Sequence, residues 1–594
     1  MKRALAEASL IMKPEGYAEG VLPSLKPSNG DGDFTFTRGS NLSATRVNAE
    51  GLIEKGRENL LLQSNQFDTT WAGNNALAIS EYADRNGGTN AWLLREQGGN
   101  IQHYIRQSSG LYSGIGTFSF YAKKKDYDWI QFARSGDGGD YANFNISNGT
   151  LGNVSGASII DRKIESVGNG WYRCSVTYSF NSNSFVGIAL IRSDVSTRYE
   201  VYQGDNTSGT YIQDSQVESG LVATDYIETR ATTAKAGVLE NTPRLDYSGG
   251  ATEPSLLLEP QRTNQLENSE YFGSWNNTSY PVTITSNAAT SPDGNTNATL
   301  ITPTSGNSRH ATRDTNVVAV AGTTYTLSAF FKKAGSRYVV LGDSGDNLWR
   351  LVTADLDEGT ITNETNATGT IEPYENDWYR ITCTFTRNNP PTIQMFLGAS
   401  PNDTNITAPS FDNTSLTTYV YGAQVEASSS YPTSYIPTYG TSQTRSYDDC
   451  DLLDLVSKDI ITDATQWTIM FEVDGFSTEY NSVDGQWFAG QDSTLDVYMR
   501  PNSTTDTYAK FYWRKDSKYI GGNLGKKMIA RLSDGIGTTF VDGVLDGSSS
   551  ITGDYSGIGF NKSSNPAAAG YVKQLLIFPT ALTDSECIAL TKLD

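Results

Sequence analysis

Cysteine is scarce in this chain. Cys174, Cys383, Cys450 and Cys587 are the only four in 594 residues, too few and too scattered for a disulfide framework or a thiolate zinc site. They read as small buried apolar side chains. Histidine is scarcer still: His103 and His310 stand alone, 207 residues apart (310 − 103), so no His-based zinc centre and no pair of serine-type triads can be assembled. Charged residues make up only 19 %, with an acidic balance of −21. A phosphate backbone is bound largely through Lys and Arg, so nucleic acid is not an expected partner, and an anionic membrane surface is disfavoured in the same way. Long apolar runs are missing too. Glu7, Lys13 and Glu15 interrupt the N-terminus before it reaches signal-peptide length, and nothing approaches the roughly eighteen apolar residues of a membrane span. The expectation is synthesis in a cytoplasm without a secretory address and without membrane insertion. Triplets such as those at Asn145, Asn297 and Asn363 are then by-products of Asn/Thr-rich loops.

What is abundant is Gly, Tyr, Thr, Ser and Asn, with aromatics at 11 %, which suits twisted sheets with polar outer faces and many turns. The length allows about three to five domains. The strongest internal signal is a repeat. Asn169-Gly170-Trp171-Tyr172-Arg173 returns as Asn376-Asp377-Trp378-Tyr379-Arg380, an offset of 378 − 171 = 207. Arg57-Glu58-Asn59 returns as Arg262-Thr263-Asn264, Phe118 to Lys124 as Leu327 to Lys333, and Gln216-Val217-Glu218 as Gln424-Val425-Glu426. The offset drifts from 204 (275 − 71, at Trp71) to 209 (435 − 226, at Tyr226), so insertions fall in loops. In the Trp-Tyr-Arg strand one face carries Tyr172, Cys174, Val176, Tyr178 and Phe180, and in the second copy Tyr379, Ile381, Cys383 and Phe385. That unbroken period of two marks a core strand. The flanking strands alternate as though one face is buried.

The fold class expected is all-β and multidomain: two homologous β-sandwich or jelly-roll domains followed by a third sandwich, with an extended N-terminal segment. Residues 1–55 form that segment and a strand connector, with two helical turns expected over Leu5 to Met12. Repeat 1 spans 56–230, a connector 231–260, repeat 2 261–445 and the last domain 446–594. In the last domain Gln466 to Val473, Ala509 to Arg514 and Tyr571 to Phe578 read as strands. Asp542-Gly543 reads as a hairpin turn, and Thr583-Asp584-Ser585-Glu586 as the cap of a short helix.

Three groups of residues carry a resemblance. The repeats, through Phe118 to Lys124, Trp171-Tyr172-Arg173 and Gln216-Val217-Glu218, resemble the carbohydrate-binding-module type of jelly roll found in virion proteins of tailed bacteriophages. Phe540-Val541-Asp542-Gly543 and Phe578 to Glu586 are similar to concanavalin A-like (laminin-G-like) lectin domains. Ala8 to Tyr17, Phe36 to Ser40 and Ala44 to Asn48 resemble the openings of phage structural proteins. The resemblance implies a virion fibre, appendage or decoration protein, not an enzyme. It implies attachment to other virion proteins through the N-terminal segment, display of domains toward host-surface glycans, and a homo-oligomer for which a trimer is the default.

Against that background the chemistry is sparse. Trp487 and Trp513 are the candidate carbohydrate-binding residues, against a reading as sandwich core. Glu472-Val473-Asp474 begins like the Glu-x-Asp-x-x-Glu signature of laminarinase-type hydrolases, but Ser477 stands where the last Glu belongs, and Glu479, after Thr478, is two residues late. No cofactor is expected. The Asp-rich turns at Asp343 to Asp346 and Ser135 to Asp140 are of the kind that holds calcium, but lack the spacing of a loop motif and read as solvated turns. His103 and His310 are each followed three residues later by Arg106 or Arg313, and read as inherited structural positions. A purely structural decoration protein and a polysaccharide depolymerase are the alternatives.

Overall fold

The computed structural model describes the chain apart from residues 1, 40–41, 111–112, 136–138, 181–184, 346–347, 390–391, 405–406, 453, 479–487, 491–495, 502–508, 516–517, 521–524, 551–557, 561–567 and 594, and apart from the side chains of 2–4, 135, 476–478, 488–490, 496–501, 509–515, 518–519, 558–560 and 568. The described residues form strands joined by tight turns, with α-helices at Lys2–Glu7 and Asp584–Thr591.

Both repeats are two-sheet sandwiches with the same strand order. The Trp-Tyr-Arg sheet of repeat 1 runs Ile159–Gly168, Trp171–Phe180, Gly114–Lys123, Gly209–Ser219, Ala91–Glu96, Ala76–Tyr82. Repeat 2 follows with Thr368–Tyr374, Trp378–Arg387, Thr323–Lys333, Thr418–Ala427, Ala298–Pro303, Val282–Ala289. The opposing sheets are built around Trp129–Ser135 and Tyr338–Asp343. Cys174, Val176 and Tyr178, and Ile381, Cys383 and Phe385, point into the apolar clusters between the sheets, as their alternation requires. All four cysteines are buried, and none is in a disulfide.

One expectation changes. The Gly114–Lys123 strand has eight consecutive buried residues, so both of its faces are covered. At Thr117 and Ser119 the cover on the outer face is polar: Thr117 donates to Gly220 O (2.9 Å) and bonds to Thr177, while Arg173 donates to Ser119 Oγ.

The turn before each Trp explains its residues. Asn169 and Gly170 have φ of 52° and 75°, and Asn376 and Asp377 both have 61°. In repeat 1 the two left-handed residues form a two-residue hairpin between the paired Gly168 and Trp171, whose twist matches its strands, and in repeat 2 they end a three-residue loop between the paired Tyr374 and Trp378. Asp377 stands where repeat 1 has glycine and bears the steric cost of a Cβ. Asp377→Gly is expected to stabilise repeat 2 by about 0.5–1 kcal/mol in chemical denaturation; a loss of stability would show that the Asp377 side chain holds the turn.

The recurring Arg-x-Asn is likewise structural. Asn59 donates to Ser215 O and Ile227 O (3.2 and 2.8 Å) and accepts from Leu61 N and Val217 N. Asn264 repeats this on Ala423 O, Ile436 O, Leu266 N and Val425 N. One fully buried amide thus ties the entry strand of each repeat to its closing strand and to the returning loop.

The third sandwich is assembled from three distant pieces of chain. Its larger sheet runs Arg244–Asp246, Ser255–Leu258, Ala568–Phe578, Gln466–Thr478, Lys527–Ser533, Ile536–Val541, Val544–Ser550, and Leu10–Met12 also pairs with Ala568–Phe578. Its second sheet runs Val21–Leu22, Phe34–Thr37, Asp449–Leu452, Ile558–Phe560, Phe488–Gly490. Residues read on the sequence as an attachment segment and as a connector therefore lie inside this sandwich. The expected helix stops at Glu7, because Leu10 to Met12 pair as a strand with Ile577 to Leu575. The Asp542-Gly543 hairpin is present, with φ of 47° and 83°. So is the Thr583 capping box, in which Glu586 N donates to Thr583 Oγ1 and Thr583 N to Glu586 Oε2.

Candidate functional site

Several residues singled out on the sequence turn out to be structural. His103 sets Nδ1 2.8 Å from Asn75 O and Nε2 3.2 Å from Tyr202 O. His310 sets Nδ1 2.7 Å from Pro281 O and Nε2 3.0 Å from Phe411 O. Both rings are buried, and each pins a two-stranded flap to its sandwich. Of the two Asp-rich turns, expected to be solvated, the described Asp343 and Asp140 are instead buried and ion-paired. Asp343 is fully buried between Arg350 and Arg387, and Asp140 pairs with Arg134 at 2.5 Å. Buried guanidinium groups take the place a cation would need, because a buried carboxylate demands a counter-charge. Asp474 lies 3.1 Å from Lys573 Nζ and 3.6 Å from Lys526 Nζ. Trp487 lies outside the described residues. Trp513 lies in the Ala509–Lys515 strand opposite Val497 and Ile520, with its side chain outside the description.

The more informative surface is the outer face of the Trp-Tyr-Arg sheet, because the two repeats treat it differently. In repeat 1, Lys123 lies opposite Trp171 on one side and Tyr211 on the other, with Tyr121 opposite Arg173 and Gln213 one step along the strand. Trp171 is fully buried as the floor of an aromatic cluster, under half-buried Tyr82 and Tyr211. Those two rings sit 5.2 Å apart, tilted by 44°. The Arg85 guanidinium lies 4.2 Å from the Tyr121 ring centroid and donates to Asp214 Oδ2 through Nε (3.1 Å) and Nη2 (3.0 Å). Burial raises the Asp214 carboxyl to about 6 although Arg85 pulls it down. The result is a half-open aromatic platform edged by a guanidinium, a carboxylate, an amide and a lysine.

In repeat 2 the same face is covered by the chain itself. The hairpin of Thr45–Val47 and Ile53–Lys55 lies over it, Ile53 packing into a cluster with Phe330, Trp378, Tyr421 and Tyr435 while its N–H donates to Pro292 O (2.9 Å). Lys55 Nζ sits 2.7 Å from Asp293 Oδ2, 3.0 Å from Glu270 Oε1, 3.0 Å from Tyr421 OH and 3.2 Å from Tyr439 OH. Burial opposes its charge, but Asp293 and Glu270 hold the ammonium well above the usual lysine range. Burial likewise opposes ionisation of Asp293, and Lys55 holds it down at about 2. The hydroxyls of Tyr421, Tyr435 and Tyr439 are pushed up by burial and remain donors. Above this cluster is a polar cleft of about 620 Å³ between the repeats, lined among others by Arg57, Arg173, Glu218, Asp225 and Asn297. In repeat 1 the positions of Glu270 and Tyr421 are Asn65 and Gln213, so no such cluster forms there.

No family model matches the chain, and neither does any curated protein. Three solved structures give slight similarity. One is domain 4 of AbnA, an extracellular GH43 arabinanase of Geobacillus stearothermophilus, in complex with arabinotriose (16 % identity, 25 % of this chain, 73 % of that one, TM-score 0.20). Another is the tandem CBM22 domain of Paenibacillus barcinonensis Xyn10C (12 % identity, 62 % and 97 %, TM-score 0.20). The LG1-3 region of the laminin alpha2 chain follows with 9 % identity, 82 % and 97 % coverage and a TM-score of 0.12. Scores this low transfer no property to the chain.

Proposed function

We propose that this chain is a non-enzymatic glycan-binding protein of a tailed-phage virion, a fibre or appendage component in which repeat 1 presents the glycan-binding face. The observation that carries the reading is the half-open pair of Tyr82 and Tyr211 over buried Trp171 and Tyr121, bordered by half-buried Arg85 and Lys123 and by the buried Asp214 and Gln213. A sugar ring has an apolar C–H face that stacks on an aromatic ring and a rim of hydroxyls that needs fixed donors and acceptors. A half-buried tyrosine pair beside an oriented guanidinium–carboxylate pair offers both. The virion setting is supported by the sequence resemblance at the N-terminal segment and repeats. Contacts to other virion proteins and a trimeric assembly belong to the same proposal, and an oligomer would raise the avidity of a weak single site.

Glycan-array screening followed by calorimetry on the best ligand tests the reading. Removing both stacking rings (Tyr82→Ala with Tyr211→Ala) is expected to weaken binding at least about fivefold, since each ring contact is worth about 0.5–1.5 kcal/mol. The counterpart substitution Tyr419→Ala in repeat 2 should leave it unchanged. Undiminished affinity in the double variant would remove the site from repeat 1, and loss of host polysaccharide on incubation with the protein would favour the depolymerase alternative.

A further inference from the structure

The Lys55 cluster has more carboxylate than an ion pair needs. Glu270 and Asp293 each have side chains only 1 % exposed, both approach one ammonium, and Tyr421 OH bridges them at 3.0 Å from Glu270 Oε1 and 2.9 Å from Asp293 Oδ2. Donors from Lys55, Tyr421, Tyr435 and Tyr439 all converge on Glu270 Oε1, while its buried Oε2 has no hydrogen-bond partner among the described residues. An amine held against one carboxylate, with a second carboxylate free to carry protons between them, is the constellation required for amide formation.

We propose that Lys55 and Asp293 condense into an intramolecular isopeptide cross-link, with Glu270 as the proton carrier. Lys55 gives a proton to Glu270, and the neutral Nζ attacks Asp293 Cγ. Glu270, aided by the Tyr421 hydroxyl, returns protons to the departing oxygen. The Nζ–Cγ bond forms and one Cγ–O bond breaks. Of the three ammonium hydrogens one stays on the amide and two leave with that oxygen as water, so no oxidant, cofactor or activating group is consumed. Holding the two groups in contact supplies an effective concentration of about 10⁵–10⁸ M in place of activation. The product also replaces a buried ion pair by a neutral amide, relieving the desolvation of both charges. The cleft above the cluster gives the water an exit. The bond would close a covalent loop from 55 to 293 containing all of repeat 1, so that tension along the chain bypasses that repeat.

The test is the intact mass of the denatured full-length protein. The expected result is a mass one water below the 64.6 kDa of the sequence, with a branched tryptic peptide joining Lys55 to Asp293. Lys55→Arg and Asp293→Ala should each restore the full mass. Glu270→Gln, which keeps both partners, should leave folded protein uncrosslinked. Wild-type protein that still has the full sequence mass after prolonged incubation in the folded state overturns the proposal. A one-water deficit that gives no branched peptide and reverts at mildly alkaline pH also overturns it, because that marks a succinimide at Asp293-Gly294.

Discussion

Deleting residues 1–37 is expected to unfold the C-terminal sandwich while both repeats stay folded, seen as the loss of one calorimetric transition and rapid proteolysis confined to residues 244–258 and the region beyond residue 446. The deletion removes one strand from the larger sheet and two from the smaller one. It also removes Ala8, Leu10, Met12, Leu22, Phe34 and Phe36, all fully buried; every one but Ala8 belongs to the same apolar cluster as Trp467, Phe471 and Ile577. At about 1.5–3 kcal/mol for each large side chain, the five that follow Ala8 contribute on the order of 10 kcal/mol, as much as the net stability of a typical domain. Repeat 1 and repeat 2 keep their own cores, which contain no residue from this segment. A truncated protein with an unchanged melting profile would mean that these strands merely rest on a sandwich that is complete without them.

The same arrangement affects any dissection of the molecule. A fragment starting at residue 446 lacks Leu10–Met12, Phe34–Thr37 and Ser255–Leu258, each hydrogen-bonded to a strand of the last domain. Ligand assays on such a fragment would report on an incomplete sandwich. The Trp487 and Trp513 candidates are therefore better probed by substitution in the full chain.

The duplication was readable because strand alternation survives divergence: Cys174 and Ile381, and Val176 and Cys383, fall on corresponding inward positions of their strands although the residues differ. The Asp542-Gly543 hairpin and the Thr583 cap were readable because turn and cap chemistry is local. What was not readable is what covers the outer face of each sheet. Alternation places Trp171 and Trp378 on that face alike, but Ile53 and Lys55, which close it in repeat 2, come from a hairpin that precedes repeat 1 in the chain. Lys55 meets Glu270 and Asp293 across 215 and 238 residues (270 − 55 and 293 − 55), a separation at which single-sequence spacing has no signal. The N-terminal strand escaped for the opposite reason. Leu10-Ile11-Met12 is too short to distinguish a period of two from one of 3.6, and its pairing with Ala568–Phe578 decides the matter.

Asp448→Ala is expected to cost about 3–5 kcal/mol, measured as a lower urea midpoint for the C-terminal sandwich and its junction with repeat 2. Asp448 lies where the N-terminal segment, the connector, repeat 2 and the last domain meet. Its carboxylate takes Arg38 Nη1 at 3.2 Å, Arg244 Nη2 in a closer contact, and Glu259 N at 2.9 Å. Glu259 in turn takes Arg244 Nη1 at 2.7 Å and Arg445 Nη1 at 2.9 Å. These five side chains are at most 4 % exposed, so water screens none of the charges. Burial works against ionisation of Glu259, yet Arg445 and Arg244 hold it at about 2, and burial brings Arg38 down to about 10 even beside Asp448. Three guanidiniums balanced by two carboxylates become, without Asp448, three against one, and Arg38 loses its only charged partner among the described residues. Because the penalty is uncompensated positive charge, adding Arg38→Met to Asp448→Ala should recover part of the loss. A loss of contact alone would instead make the double variant worse. By contrast, removing the exposed Lys163–Glu165 pair in repeat 1, whose side chains are 55 % and 48 % exposed, should produce no measurable change. If Asp448→Ala behaves like that surface control, the junction is held by its apolar contacts and the ion network merely occupies it.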